Sequence, residues 1–186
     1  TPAAREILYN ENHPSYRGFS FMHAYTRLRT WICLPEVLRT GKAPPKERSP
    51  ERLQYFMEAM RYNAREIAPR VVDLCLEGLR PPVEVIDIGG GPLNYATVFA
   101  ARGAAVNVLD TPEVVALMQR RVPPGAPIRL LAGDFTQEVP GGPYQLAFLG
   151  NVTHIYGPQE NQALLGRIAR VLHPGGRVAI LDVVYG

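Results

Sequence analysis

Lysine is nearly absent from this chain of 186 residues: Lys42 and Lys46 stand among 20 basic residues, and the rest are arginine. The formal charge is only +3, and the basic residues are scattered. No basic stripe or aromatic-interleaved cluster marks a nucleic-acid surface, so no nucleic-acid partner is expected. Cysteine is equally scarce. Cys33 and Cys75 stand apart without metal-ligand spacing, so no metal site is expected, and two isolated cysteines suit buried apolar roles in a reducing compartment. No apolar run reaches the roughly 18 residues of a membrane span, and no signal peptide is expected. The expectation is a cytoplasmic protein without a membrane partner. What the chain does have is 46% hydrophobic residues, enough for one full domain with a core and a smaller appendage.

Residues 1–48 are irregular in pattern. The stretch "FMHAYTRLRTWICLPEVLRTG" predicts one or two helices stopped by Gly41, and "KAPPKERSP" predicts a loop. Ser49-Pro50-Glu51 is a helix start: a capping hydroxyl, a proline in the first turn and an acid at the positive end of the dipole. Leu53, Phe56, Met57, Met60 and Ile67 follow at helical spacing until Pro69 interrupts, and "RVVDLCLEGL" predicts a further helix to Leu79. From Val83 the rhythm changes. Strands are predicted over 83–88, 105–110, 128–132, 145–150 and 177–183, with helices over 92–102, 112–121 and 159–172. This alternation predicts an α/β fold, a doubly wound, mostly parallel sheet covered by helices.

Three consecutive glycines, Gly89, Gly90 and Gly91, fall at the end of the first strand. A strand that passes directly into a helix presents free backbone N–H groups, and glycines there allow close approach and positive φ. The second strand ends at Asp110, and in a doubly wound sheet that end lies beside the glycine turn. A carboxylate there can accept hydrogen bonds from both hydroxyls of a ribose. The corner therefore reads as a nucleoside site, with a ligand-free tight turn as the alternative. The pattern D-x-G-G-G fits the nicotinamide fingerprint G-x-G-x-x-G poorly. Asp134 follows the third strand with Phe135 beside it. A carboxylate can accept the adenine amino hydrogens while the ring packs on the base, and the alternative is an ordinary Asx turn.

Taken together, "VIDIGGG", "VLDTPEVV", "AGDFTQEVP" and "LGNVTHIYGPQENQALLGRIARVLHPGGRVAILD" resemble class I S-adenosylmethionine-dependent methyltransferases. The resemblance is nearest to the small-molecule O-methyltransferases, a group with caffeate, acetylserotonin and bacterial polyketide-tailoring enzymes. It implies S-adenosyl-L-methionine as cofactor, held by Gly89 to Gly91, with Asp110 on the ribose, Asp134 and Phe135 on adenine, and the Gly150 backbone nearby. It implies that Phe56 and Met60 line the acceptor pocket, with a plain buried helix face as the other reading of both. It implies His154 as general base, removing the proton of a hydroxyl on a small aromatic acceptor. It also implies a homodimer, with residues 1–80 as a helical dimerisation and substrate segment and residues 81–186 as a Rossmann-like cofactor domain.

The sequence departs from that pattern in places. Leu93 stands where a glycine is common, and "HIYG" replaces His-Asp-Trp. The chain ends at Gly186, before two further strands and the acids that orient the histidine in relatives, so a sheet truncated after its fifth strand is expected. His173 reads as a helix end before a turn; His13 and His23 are uninformative, and either could line the acceptor pocket. Three other readings stay open: methyl transfer to nitrogen or carbon, an inactive cofactor-binding or dimer-scaffold protein, and, last, a nicotinamide oxidoreductase.

Overall fold

The structure, a computed structural model, describes residues 1–45 and 49–183. The loop expected over residues 42–50 lies partly outside them. The chain divides into two compact units, Thr1–Asn63 and Ala64–Gly186.

The first unit is helical: α1 (Pro2–Tyr9), α2 (Gly18–Trp31), α3 (Leu34–Thr40) and most of α4 (Pro50–Ala64). Local signals set its boundaries. The Thr1 hydroxyl accepts from the Ala4 N–H at 3.3 Å, and the Ser49 hydroxyl accepts from the Arg52 N–H at 3.2 Å. Gly41 ends α3 with φ 68°, a conformation that costs other residues. α2 carries Phe21, Tyr25 and Leu28 on one stripe that Ile32 extends just past its end, 61, 59 and 70% exposed at Phe21, Leu28 and Ile32.

The second unit begins with α5 (Ala68–Leu76) and continues through β1 (Glu84–Ile88), α6 (Asn94–Ala101), β2 (Ala105–Asp110) and α7 (Pro112–Met118). β3 (Ile128–Ala132), β4 (Tyr144–Gly150), α8 (Pro158–Arg170) and β5 (Leu172–Leu181) complete it. The five strands lie in the order β3-β2-β1-β4-β5, all parallel. This is the doubly wound α/β sheet that the alternation predicts. The winding reverses between β1 and β4, where such sheets open a crevice at their carboxyl ends.

Alternation along β1 assigns the two faces. Ile86 and Ile88 enter a core with Leu109, Leu149, Leu164 and Ile168. Asp87 points to the opposite face, where Phe148 meets Tyr95 and Phe99 of α6 at ring-centroid distances of 4.7 and 5.7 Å.

Two boundaries differ from expectation. α5, read with the helical lead-in, belongs to the sheet-bearing unit: Val72 is fully buried, and Asp73 pairs with Arg102 of α6 at 2.9 Å. It ends at Leu76 because Gly78 turns the chain with φ 75°. The "HPGG" turn is absorbed into β5. Tyr144 pairs with Leu172 and Leu146 with Arg177, so the extra residues form a bulge, with Gly175 at φ 79°.

Candidate active site

The turn after β1 is shaped by glycine conformations. Gly89 has φ 66° and Gly91 φ 46°. A Cβ on Gly89 would stand 2.8 Å from Val152 Cγ2 and 3.7 Å from Phe135, and one on Gly90 would stand 2.5 Å from Val108 Cγ1 and 2.8 Å from Asp87 Oδ2. Both positions exclude larger residues by contact. Leu93 takes the next left-handed turn with φ 65°, and its side chain is buried in the core at 2% exposure. The leucine therefore packs inward rather than crowding the rim.

Asp110, at the end of β2, faces this turn. Its Oδ2 accepts from the Gly91 N–H at 2.9 Å and its Oδ1 from the Thr111 N–H at 2.7 Å. Thr111 also caps α7, which fixes the strand end. Each carboxylate oxygen keeps acceptor capacity for a further donor. Acid and turn touch directly.

The third loop joins the same rim. The Gly133 N–H donates to the Asp110 carbonyl at 3.0 Å. Phe135 lies against Gly89 and meets Tyr156 edge-on, ring centroids 6.1 Å apart. Asp134 forms an Asx turn, the alternative to the adenine reading, with Oδ1 accepting from the Thr136 N–H at 2.8 Å and hydroxyl at 2.6 Å. Those bonds hold its carboxyl below the usual range, and it stays exposed. Gly150 ends β4 facing Phe148 and Tyr95, where a Cβ would stand 3.0 and 3.4 Å from their rings.

Beyond β4 a short 3-10 turn, Thr153–Ile155, carries His154. The Asn161 amide pins that turn by donating to the carbonyls of Thr153 at 2.9 Å and Tyr156 at 3.1 Å. His154 Nδ1 lies 2.7 Å from Oδ1 of Asp182, at the end of β5. Oδ2 of Asp182 accepts from the Thr153 hydroxyl at 2.7 Å and from the His154 N–H at 3.2 Å. Burial opposes ionisation of Asp182, whose side chain is 1% exposed, but these bonds and the Val183 N–H outweigh it and bring its pKa down to about 2. An ionised Asp182 holds the proton on Nδ1 and leaves Nε2 as the free basic nitrogen. The acid beside the histidine, expected in strands beyond the chain, is thus present within it. A strand-end acid on the neighbour of the histidine-bearing strand was the available signal.

Asp87 also went unassigned beyond its motif. It is buried at 1% exposure, and its Oδ2 has no hydrogen-bond partner. Burial and the Asp110 charge push its pKa up to about 7. Burial also raises Asp110, against the two backbone N–H groups that it accepts.

Phe56 and Met60 lie on α4 in the helical unit. Phe56 is 41% exposed and meets His23 with ring centroids 5.4 Å apart, and Met60 is half-buried. Among the described residues no histidine, cysteine and acid cluster could hold a metal ion, and no helix is long and apolar enough to cross a membrane. A shallow cavity of about 270 Å³, with Glu84, Asn107 and Arg129 in its wall, opens at the amino ends of β1 to β3, away from the glycine turn.

A protein-family model described as the O-methyltransferase domain matches residues 40–186. The chain belongs to that family. This O-methyltransferase domain is 35% identical over 116 residues to mouse acetylserotonin O-methyltransferase, across 57% of this chain and 30% of that protein. It is 28% identical over 200 residues to TcmO of Streptomyces glaucescens, a tetracenomycin polyketide 8-O-methyl transferase, across 98% of this chain and 57% of the relative. The chain therefore spans only part of the length of either relative. Human N-acetylserotonin methyltransferase, solved in complex with S-adenosylmethionine, superposes with a TM-score of 0.75 at 23% identity, over 95% of this chain and 55% of that one. That likeness is one of fold.

Proposed function

We propose that this domain transfers methyl from S-adenosylmethionine to a hydroxyl of a small aromatic acceptor, with His154 as general base. The observation that carries the reading is the shared rim: Gly91 bonded to Asp110, Phe135 against Gly89, and His154 held by Asp182 at the adjoining strand ends. The residues suit the cofactor. Gly89 and Gly90 leave no space for a Cβ, and Asp87 keeps an unpartnered buried oxygen beneath them.

In this reading Gly89 to Gly91 hold the methionine part, Asp110 accepts from the ribose hydroxyls, and Asp134 with Phe135 receives adenine. Oδ2 of Asp134 makes none of the Asx-turn bonds and can accept the adenine amino group. Gly150 contributes backbone only. When bound, S-adenosylmethionine supplies an electrophilic methyl on a positively charged sulfur. His154 Nε2 takes the acceptor hydroxyl proton as the oxygen attacks, a contribution of about 10²–10⁴-fold. His154, with its side chain 45% exposed, is open to an acceptor. The exposed stripe of Phe21, Tyr25 and Leu28 on α2, with Ile32 just past its end, supports a homodimer through the helical unit.

The test is methylation across a panel of phenols with labelled S-adenosylmethionine. Turnover that falls about 10²-fold or more in His154→Ala supports oxygen transfer with this base. Turnover of amine or carbon acceptors that is indifferent to His154→Ala would move the chemistry to nitrogen or carbon. Cofactor binding without turnover on any acceptor would make the protein a cofactor-binding scaffold.

A further inference from the structure

Two carboxyl groups converge beneath one glycine turn. Oδ2 of Asp110 accepts from the Gly91 N–H at 2.9 Å, and Oδ2 of Asp87 lies 2.8 Å from where a Gly90 Cβ would stand. Among the described residues neither acid has a lysine, arginine or histidine partner. The groups around Asp87 are Asp110 from β2 and Tyr95 from α6, with Val108 and Phe148 beside it in the sheet. The Tyr95 hydroxyl is also buried without a partner, and Cys75 of α5 is the next titratable group behind it. The floor of the turn is therefore acidic and lacks a positive charge of its own.

Asp110 is the acid that keeps its charge, because two backbone N–H groups donate to it. Asp87 has an unpartnered oxygen, sits beside that charge, and so takes the proton. A positive ligand above the turn reverses this preference, since an opposite charge nearby favours the ionised carboxyl.

We propose that Asp87 sets the preference of this site for a positively charged methyl donor over the neutral-sulfur product: it is a neutral acid while the turn is free and gives up its proton when a sulfonium sits above it. The inference rests on the methyltransferase reading. S-adenosylmethionine and S-adenosylhomocysteine carry the same ammonium and carboxylate and differ in one methyl and one positive charge at sulfur. The only bond broken in the binding step is the Asp87 O–H, and the proton passes to buffer. Product formation removes the sulfonium charge, so Asp87 recovers a proton and the product loses a favourable contact.

The experiment is calorimetric titration of the chain with each ligand, without acceptor, at pH 6 in two buffers of different ionisation enthalpy. S-adenosylmethionine is expected to release roughly half to one proton more than S-adenosylhomocysteine, and its relative affinity to rise up to about tenfold per pH unit below pH 7, then level off. Asp87→Asn is expected to abolish both the excess release and the pH dependence of the ratio. Equal proton release by two ligands that both bind, or an excess that survives in Asp87→Asn, would overturn the inference alone. If neither ligand binds, the methyltransferase reading falls with it. Should Asp87→Asn not fold, the Asp87 carboxyl carbon shift decides in the wild type: it must move to the ionised value with the donor and not with the product.

Discussion

Oδ1 of Asp182 stands 2.7 Å from Nδ1 of His154, although 28 residues separate them in sequence. The contact exists because β4 and β5 are parallel neighbours, Gly150 pairing with Leu181, so that the residues just past both strands meet. It gives His154 one orientation and one tautomer. Asp182→Asn should therefore act through His154. We expect kcat to fall by about 10²-fold with little change in KM. Adding Asp182→Asn to His154→Ala should cost nothing further. Independent, multiplying losses in the double variant would show that Asp182 does something else.

The same acid sets an acid limit on stability. Its pKa lies at about 2 in the fold, against 3.8 ordinarily. Such a group contributes stability above pH 4, and the contribution is lost as pH falls through the folded value. Urea unfolding between pH 4 and 2.5 should show the wild type losing stability more steeply than Asp182→Asn. Parallel curves would contradict the bonds assigned to Asp182.

Asp87 works in the opposite sense. Its pKa is raised from 3.8 to about 7 by burial and by Asp110. The fold then holds a proton that the unfolded chain has released, so stability falls as pH rises from 4 to 7 and levels off above. The loss is on the order of a few kcal/mol. Urea unfolding at pH 5 and pH 8 should reveal it, and Asp87→Asn should flatten most of the slope. A wild type equally stable at both values would mean that Asp87 is solvated.

Leu93 combines a left-handed φ of 65° with a side chain that is 2% exposed. Leu93→Ala should cost about 2–5 kcal/mol through the cavity it leaves. Leu93→Gly should cost about 1 kcal/mol less than Leu93→Ala, because glycine accepts that φ freely. Thermal unfolding of the pair checks the order. Glycine worse than alanine would mean that the turn relaxes out of the left-handed region.

Much of the fold was legible because its signals are local. Thr111, Ser49 and Gly41 mark helix ends, and the apolar runs of β1 to β4 set strand limits within one residue of those observed. What escaped depends on placement across the fold. α1 went unread although Thr1 caps it and Pro2 opens it, because at eight residues it is too short to stand out from its surroundings. The "HPGG" segment has turn chemistry, yet the β4 ladder draws it into β5. At the site, the glycine turn and Asp110 follow from strand ends. Asp182 and the burial of Asp87 follow from which strands are neighbours, and that is written in no single segment.

Titration calorimetry with S-adenosylhomocysteine tests most directly whether Asp110 grips a nucleoside over the Gly89–Gly91 turn. We predict saturable one-to-one binding by the chain, weakened about 10- to 100-fold in Asp110→Ala, as the loss of hydrogen bonds to a charged acceptor requires. No heat of binding to the wild type, or equal affinity in Asp110→Ala, would contradict it.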